Sequence, residues 1–159
     1  MTISACDSWS MDTTVMLCTD GSGLALDALR QGLELLIPAT RTVVVSVMAP
    51  FDPSLMTGTG FAGGVMTPDE RDEAMEKEQS EAQQAIDEAV SELGLIDAET
   101  IVRVGDAGHE ICELAVSLPA SVVVIGTHGR SGVRRAMMGS TSDYVVRNAV
   151  CPVLVQGAG

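Results

Sequence analysis

Five short runs, Val15–Cys18, Thr42–Val47, Thr100–Val104, Val122–Ile125 and Cys151–Val155, are largely apolar and β-branched, and helical patterns separate them. Strands with no polar face leave no side for water, so both faces of their sheet must be covered; parallel sheets with crossover helices do this. The intervening stretches supply the helices. Ala25, Leu29, Leu33 and Leu36 recur on one face of a helix from Gly23 to Leu36 that Pro38 ends. Thr67-Pro68-Asp69-Glu70 starts a long helix with Met75, Gln79, Ala82, Ile86, Ala89 and Leu93 on one face and Gly94 as its stop. A short helix after Gly105 turns Ile111, Leu114, Ala115 and Leu118 inward before Pro119, and a last one runs from Ser140 to about Asn148. The expected fold is α/β, a three-layer, five-stranded parallel sheet with helices on both faces and right-handed crossovers.

In such sheets ligands bind beyond the carboxyl ends of the strands, where the strand order reverses. Two strand ends carry ligand-like loops: Thr19-Asp20-Gly21-Ser22 after the first run, and Gly126-Thr127-His128-Gly129-Arg130 after the fourth. Neighbouring positions for these two strands give the order 3-2-1-4-5. After nine intervening residues, Gly139 precedes Ser140, Thr141 and Ser142. Glycines let a backbone approach a ligand, and a Gly-Ser-Thr-Ser segment opening a helix offers N–H groups and hydroxyls to an anion. Between Gly126 and Asn148 four arginines (Arg130, Arg134, Arg135, Arg147) face one acid, Asp143, although the whole chain has a formal charge of −13.

That acidity limits the partners. Nine Lys and Arg against 22 Asp and Glu give no broad positive surface for nucleic acid or an anionic membrane, so an anionic ligand must be small enough for a local patch. The ten acids of residues 69–92 read as a solvated helix face. Cys6, Cys18, Cys112 and Cys151 lack a C-x-x-C pair and read as small thiols, neither disulfide nor metal set. His128 lies between loop glycines with no supporting acid, and His109 reads as a capping or solvated group; no metal site is expected. Residues 1–12 are polar and loose, without a secretory pattern, and no run approaches a membrane span, so a cytoplasmic protein of one domain over residues 1–159 is expected. Pro50–Pro68, rich in Gly and Met, is a long flexible loop, either a plain surface insert or a flap near a ligand.

The spacing Gly126-x2-Gly129-x9-Gly139-Ser140 resembles the G-x2-G-x9-G-(S/T) signature of the ATP-binding subset of the universal stress protein family. The likeness runs along the whole chain, through Thr19-Asp20-Gly21-Ser22, Ser46-Val47, Gly105 and Cys151-Pro152-Val153-Leu154-Val155. It implies a Rossmann-like fold of the adenine-nucleotide alpha hydrolase type, ATP binding, and a homodimer through Pro152–Val155. Carried over by position, it implies that Cys18, Thr19 and Asp20 contact ATP at the end of the first strand, with Asp20 addressing the adenosine, Val47 against the adenine ring, and Ile125 with Gly126 against the ribose side. Gly129, Gly139, Ser140, Thr141 and Ser142 would hold the phosphates, with Arg130 able to add charge. Cys18 stands where relatives often have proline or alanine, and Gly108-His109 lies where many have a proline; neither departure removes a polar contact. Asp20 has a second reading, as a helix cap.

No G-K-(S/T) occurs, and no G-x-G-x-x-G follows the first strand. Nor does the loop region show the metal-holding acid and nucleophile-orienting group that phosphoryl transfer needs, so no catalytic residue is assigned. The expected function is ATP-binding regulation or sensing in a stress response, read out by an unidentified protein partner, with little or no hydrolysis. Its rivals are a slow Mg²⁺-dependent ATPase or phosphotransferase, and a dimeric interaction module whose pocket no longer binds nucleotide.

Overall fold

A computed structural model describes residues 13–36, 39–50, 67–127 and 138–157. Their elements are β1 (Thr14–Cys18), α1 (Gly23–Glu34), β2 (Arg41–Met48), α2 (Pro68–Glu92), β3 (Glu99–Val104), α3 (Ala107–Ser117), β4 (Val122–Gly126), α4 (Ser140–Asn148) and β5 (Val153–Gln156). The strands form one parallel sheet in the order β3-β2-β1-β4-β5, as the alternation predicts. The expectations for residues 1–12, for Pro38 and for most of the 50–68 loop lie outside the described residues.

Strand alternation divides the core between two layers. Met16, Cys18, Val43, Val45, Val123 and Ile125 face Ile111, Leu114 and Ala115 of α3 and Val145 of α4. Val15, Leu17, Val44 and Val124 face Leu26 and Leu29 of α1 and Ile86 and Ala89 of α2. Runs that are apolar at every position therefore serve two cores at once, one on each face. Close packing of α1 onto β4 uses Gly32, where a Cβ would stand 2.6 Å from Val124 Cγ1. At the other edge β3 is more exposed, and Arg41 of β2 grips Glu99 through two 2.7 Å hydrogen bonds. Those bonds hold the Glu99 carboxyl below its ordinary pKa.

The long helix departs from its expected face. Ala82, Ala85, Ile86 and Ala89 are buried as the spacing requires, but from Pro68 to Glu81 every side chain except half-buried Ala74 is exposed, including Met75 and Gln79. The reason is length: 25 residues of helix span about 37 Å and the 8 residues of β2 about 26 Å. The first half of α2 thus runs past the sheet at the strands' carboxyl end. It is held from within by a capping box in which Glu70 N–H donates to Thr67 Oγ1 and Thr67 N–H donates to Glu70 Oε2.

Candidate functional site

At the carboxyl ends of β1 and β4 lies a cavity of about 270 Å³. It gathers residues far apart in sequence: Cys18, Thr19 and Asp20 after β1, Val47 on β2, Ile125 and Gly126 on β4, and Gly139, Ser140, Thr141 and Ser142 at the start of α4. All ten were singled out from the sequence. Gly129 and Arg130, with His128, Arg134 and Arg135, lie outside the described residues.

The β1 side is a chain of local hydrogen bonds. Gly21 N–H donates to Thr19 Oγ1 at 3.1 Å. Asp20 Oδ1 accepts from both the N–H (3.0 Å) and the hydroxyl (2.7 Å) of Ser22, and Ser22 Oγ accepts from Ala25 N–H at 3.2 Å. Ser22 is therefore the N-cap of α1, and Asp20 holds the cap in place instead of being one. Gly21 makes the turn with φ +79°, and a Cβ there would meet Ala85 Cβ of α2 at 2.8 Å. Cys18, at the cavity floor, is 5% exposed; burial, with smaller effects from Cys112 and Cys151, pushes its thiol up to about 12, so it stays protonated at neutral pH.

The β4 side turns on one carbonyl. Thr127 O accepts the Gly139 N–H at 2.8 Å and the Ser142 hydroxyl at 3.3 Å, while Thr127 N–H donates to Gln156 O of β5 at 2.9 Å. Gly139 has φ −65° and ψ 156°, a conformation open to any residue, so conformational freedom is not what this glycine supplies. What it supplies is room: a Cβ would lie 2.9 Å from Thr127 O. As N-cap it also has no side chain to accept from the first-turn N–H groups of α4, and Ser140 and Thr141 line the cavity at that turn. A helix N-terminus carries about half a positive charge with N–H donors pointing outward, which suits an anion. The hydroxyls divide differently from the expectation of three equal donors. Ser142, 2% exposed, donates to the carbonyls of Gly139 (3.0 Å) and Thr127, so its hydroxyl proton is committed to the loop. Ser140 and Thr141 are the more accessible pair.

Ala25, Val45, Ala107, Ile111 and Thr127 also line the cavity and were not assigned to the site from the sequence. Ala107 and Ile111 begin α3, which places them beside the β1 and β4 ends; their one signal was position after a strand's carboxyl end. Tyr144 fixes α3 to α4, since a Cβ on Gly108 would meet its ring at 2.7 Å. His109, expected as a cap or solvated group, is exposed, and its N–H donates to Asp106, which is the true N-cap of α3.

Fold and cleft together define a doubly wound α/β protein with a small-ligand cavity where its strand order reverses. A model of the universal stress protein family matches residues 11–156, and the chain belongs to that family. It is 29% identical over 149 residues to universal stress protein YxiE of Bacillus subtilis, covering 91% of this chain and 99% of that one. It is 30% identical over 153 residues to universal stress protein Sll1388 of Synechocystis, with 89% and 95% covered. Among solved structures, a universal stress protein in complex with cAMP superimposes with a TM-score of 0.60 at 22% identity, covering 91% of this chain and 96% of that one. A universal stress protein family member from Arabidopsis thaliana with AMP bound gives 0.60 at 16% identity, with 92% of each covered.

Proposed function

We propose that this chain binds an adenine nucleotide, ATP in its working state, across the cavity at the β1 and β4 ends, and that occupancy reports to a protein partner in a cytoplasmic stress response. The observation that carries this reading is the arrangement of opposite chemistries in one cavity: the open N-terminus of α4 at Gly139, Ser140 and Thr141 on one side, Asp20 and apolar Val47 on the other. The first suits phosphates, and the second suits a ribose or base with hydrogen-bond donors and a flat apolar face. Cys18, Thr19 and Asp20 then address the adenosine, Val47 the adenine, and Ile125 and Gly126 the ribose side. Gly129, Gly139, Ser140 and Thr141 hold the phosphates, Arg130 adds charge, and Ser142 orders the loop that presents them. The AMP and cAMP carried by the two structural relatives support a nucleotide of this class.

Among the described residues no group of three His, Cys, Asp or Glu is placed to hold a metal ion, so Mg²⁺ accompanies the phosphates and not a protein cage. Slow turnover belongs to this reading because the sequence beside the glycine loop offers no evident pair of a metal-holding acid and a nucleophile-orienting group. Mass spectrometry of nucleotide released from the purified protein, followed by incubation with ATP and Mg²⁺, tests the reading. ATP that persists through hours of incubation is expected. Rapid ADP formation would make the chain an ATPase, and no bound nucleotide under any condition would sink both.

The second part of the proposal is a homodimer through Pro152–Val155. Among the described residues β5 pairs only with β4, and Val153, Leu154 and Val155 are half-buried, leaving an apolar strand edge for a second copy to cover. Sedimentation equilibrium at micromolar concentration is expected to give twice the 16.5 kDa chain mass, and a monomer would overturn the proposal. Among the described residues no helix is long and apolar enough to cross a membrane.

A further inference from the structure

A second recess, of about 210 Å³, opens on the other side of Asp20, between the end of β2 and the middle of α2. Its polar lining is Asp20, Ser46, Glu78 and Glu81, and its apolar lining includes Val47, Met48 and Ala82. Asp20 and Val47 border both cavities, which otherwise occupy opposite faces of the sheet. Strand alternation explains the separation: Val43, Val45 and Val47 turn toward α3 and α4, whereas Val44 and Ser46 turn toward α1 and α2.

A row of carboxylates on a helix is ordinarily no more than a solvated face, and most of α2 is that. Ser46 distinguishes this point. It is 4% exposed, lines the recess, and among the described residues its hydroxyl has no hydrogen-bond partner, whereas buried hydroxyls are nearly always paired. A strand interior that is otherwise Val-rich has spent a polar residue on this one position. Asp20 and Glu81 have contacts of their own, with Ser22 and, at 3.9 Å, with Lys77. Recognition does not require either to be free, because a carboxylate accepts several donors.

We propose that this recess binds an alkylammonium cation, its ammonium shared by Glu78, Glu81 and the Ser46 hydroxyl and its aliphatic stem laid along Met48 and Ala82. The charge balance demands a cation, and the shape excludes a bare metal ion as the best match, since no three carboxylates among the described residues converge as ligands. An ammonium needs only two or three acceptors, and its methylenes use the apolar wall that a metal ion would waste. Both glutamates face solvent, so the expected dissociation constant is on the order of 1 mM.

The test is a ¹H–¹⁵N NMR titration of the full chain with putrescine at constant ionic strength, with NaCl as the control. Saturable shifts are expected at the amides of Ser46, Met48, Ala49 and Ala82. Ser46→Val, which keeps the side chain's shape, and Glu78→Gln, at an exposed site, should each weaken binding about threefold or more. Both variants should bind AMP like the parent, so this result is separable from the fate of the nucleotide site. Titration with an Nα-acetyl-lysine amide asks whether the ammonium comes from a free amine or from a partner's lysine side chain, and saturation by either supports the site. Shifts that do not saturate, that persist unchanged in Ser46→Val, or that spread evenly along Pro68–Lys77 would overturn it.

Discussion

Replacing Gly139 with valine is expected to remove most of the nucleotide affinity proposed for the cleft and to leave the chain folded. The added Cβ would stand 2.9 Å from Thr127 O, a backbone atom that cannot swing aside as a side chain tip would. Thr127 is itself fixed by its N–H bond to Gln156 O, so the segment that yields is the start of α4. Moving that turn breaks the 2.8 Å Gly139 N–H bond and the Ser142 hydroxyl bonds together and turns the open N–H groups away from the cavity. We expect affinity for ATP or AMP, measured by calorimetry, to fall at least about a hundredfold, some 2.7 kcal/mol. The stability cost should be about 1–3 kcal/mol, as for other overpacked sites. Because the clash is made by Cβ itself, Gly139→Ala is also expected to weaken binding, and valine more so because it adds two γ-methyls at the same crowded place. A valine variant that binds within threefold of the parent would show that α4's first turn does not hold the phosphates.

Gly21→Val is the substitution that should cost the fold most. Two penalties coincide there. A φ of +79° is a conformation that β-branched residues scarcely adopt, worth roughly 1–2 kcal/mol. A Cβ would also approach Ala85 Cβ to 2.8 Å and the Ala85 backbone to 3.4 Å, pushing α2 off the sheet, at roughly 1–3 kcal/mol. The sum is about 2–5 kcal/mol, a large share of a typical domain's 5–15. Urea unfolding followed by circular dichroism should show the lowered midpoint, with Gly21→Ala between the variant and the parent. A loss below about 1 kcal/mol would mean that the turn relaxes and that α2 is not seated on it.

How much of this was legible from residues alone depended on which physical rule governed each position. Strand order and layers were legible because buried parallel strands leave an unbroken apolar record, as in Val43-Val44-Val45, and because the two glycine-bearing loops had to share an end of the sheet. The residues of β1, β2, β4 and α4 that line the cleft were named through the family resemblance, position by position, and the sheet brings them to one cavity. Other features were set by distances between segments, which spacing does not encode. Met75 keeps helical phase with Ile86 yet stays exposed because the sheet ends before it. Ser142 looks identical to Ser140 in a list of hydroxyls, and only the nearby carbonyls of Thr127 and Gly139 separate their roles. At Gly139 the requirement is for space beside Thr127, which spacing alone does not reveal, and not for an unusual φ. Ile111 was legible as a core residue but not as part of the cleft, and Ala107 only by its place after a strand's carboxyl end.

The Gly139 N–H bond to Thr127 O has one more consequence. It brings together the two ends of the segment between them, so that segment begins and ends at a single hydrogen bond 2.8 Å long. Thr127 is thereby a joint between three elements: its N–H reaches Gln156 O of β5 while its carbonyl takes the first turn of α4, so a disturbance at the sheet edge is passed to the helix start that the cleft uses.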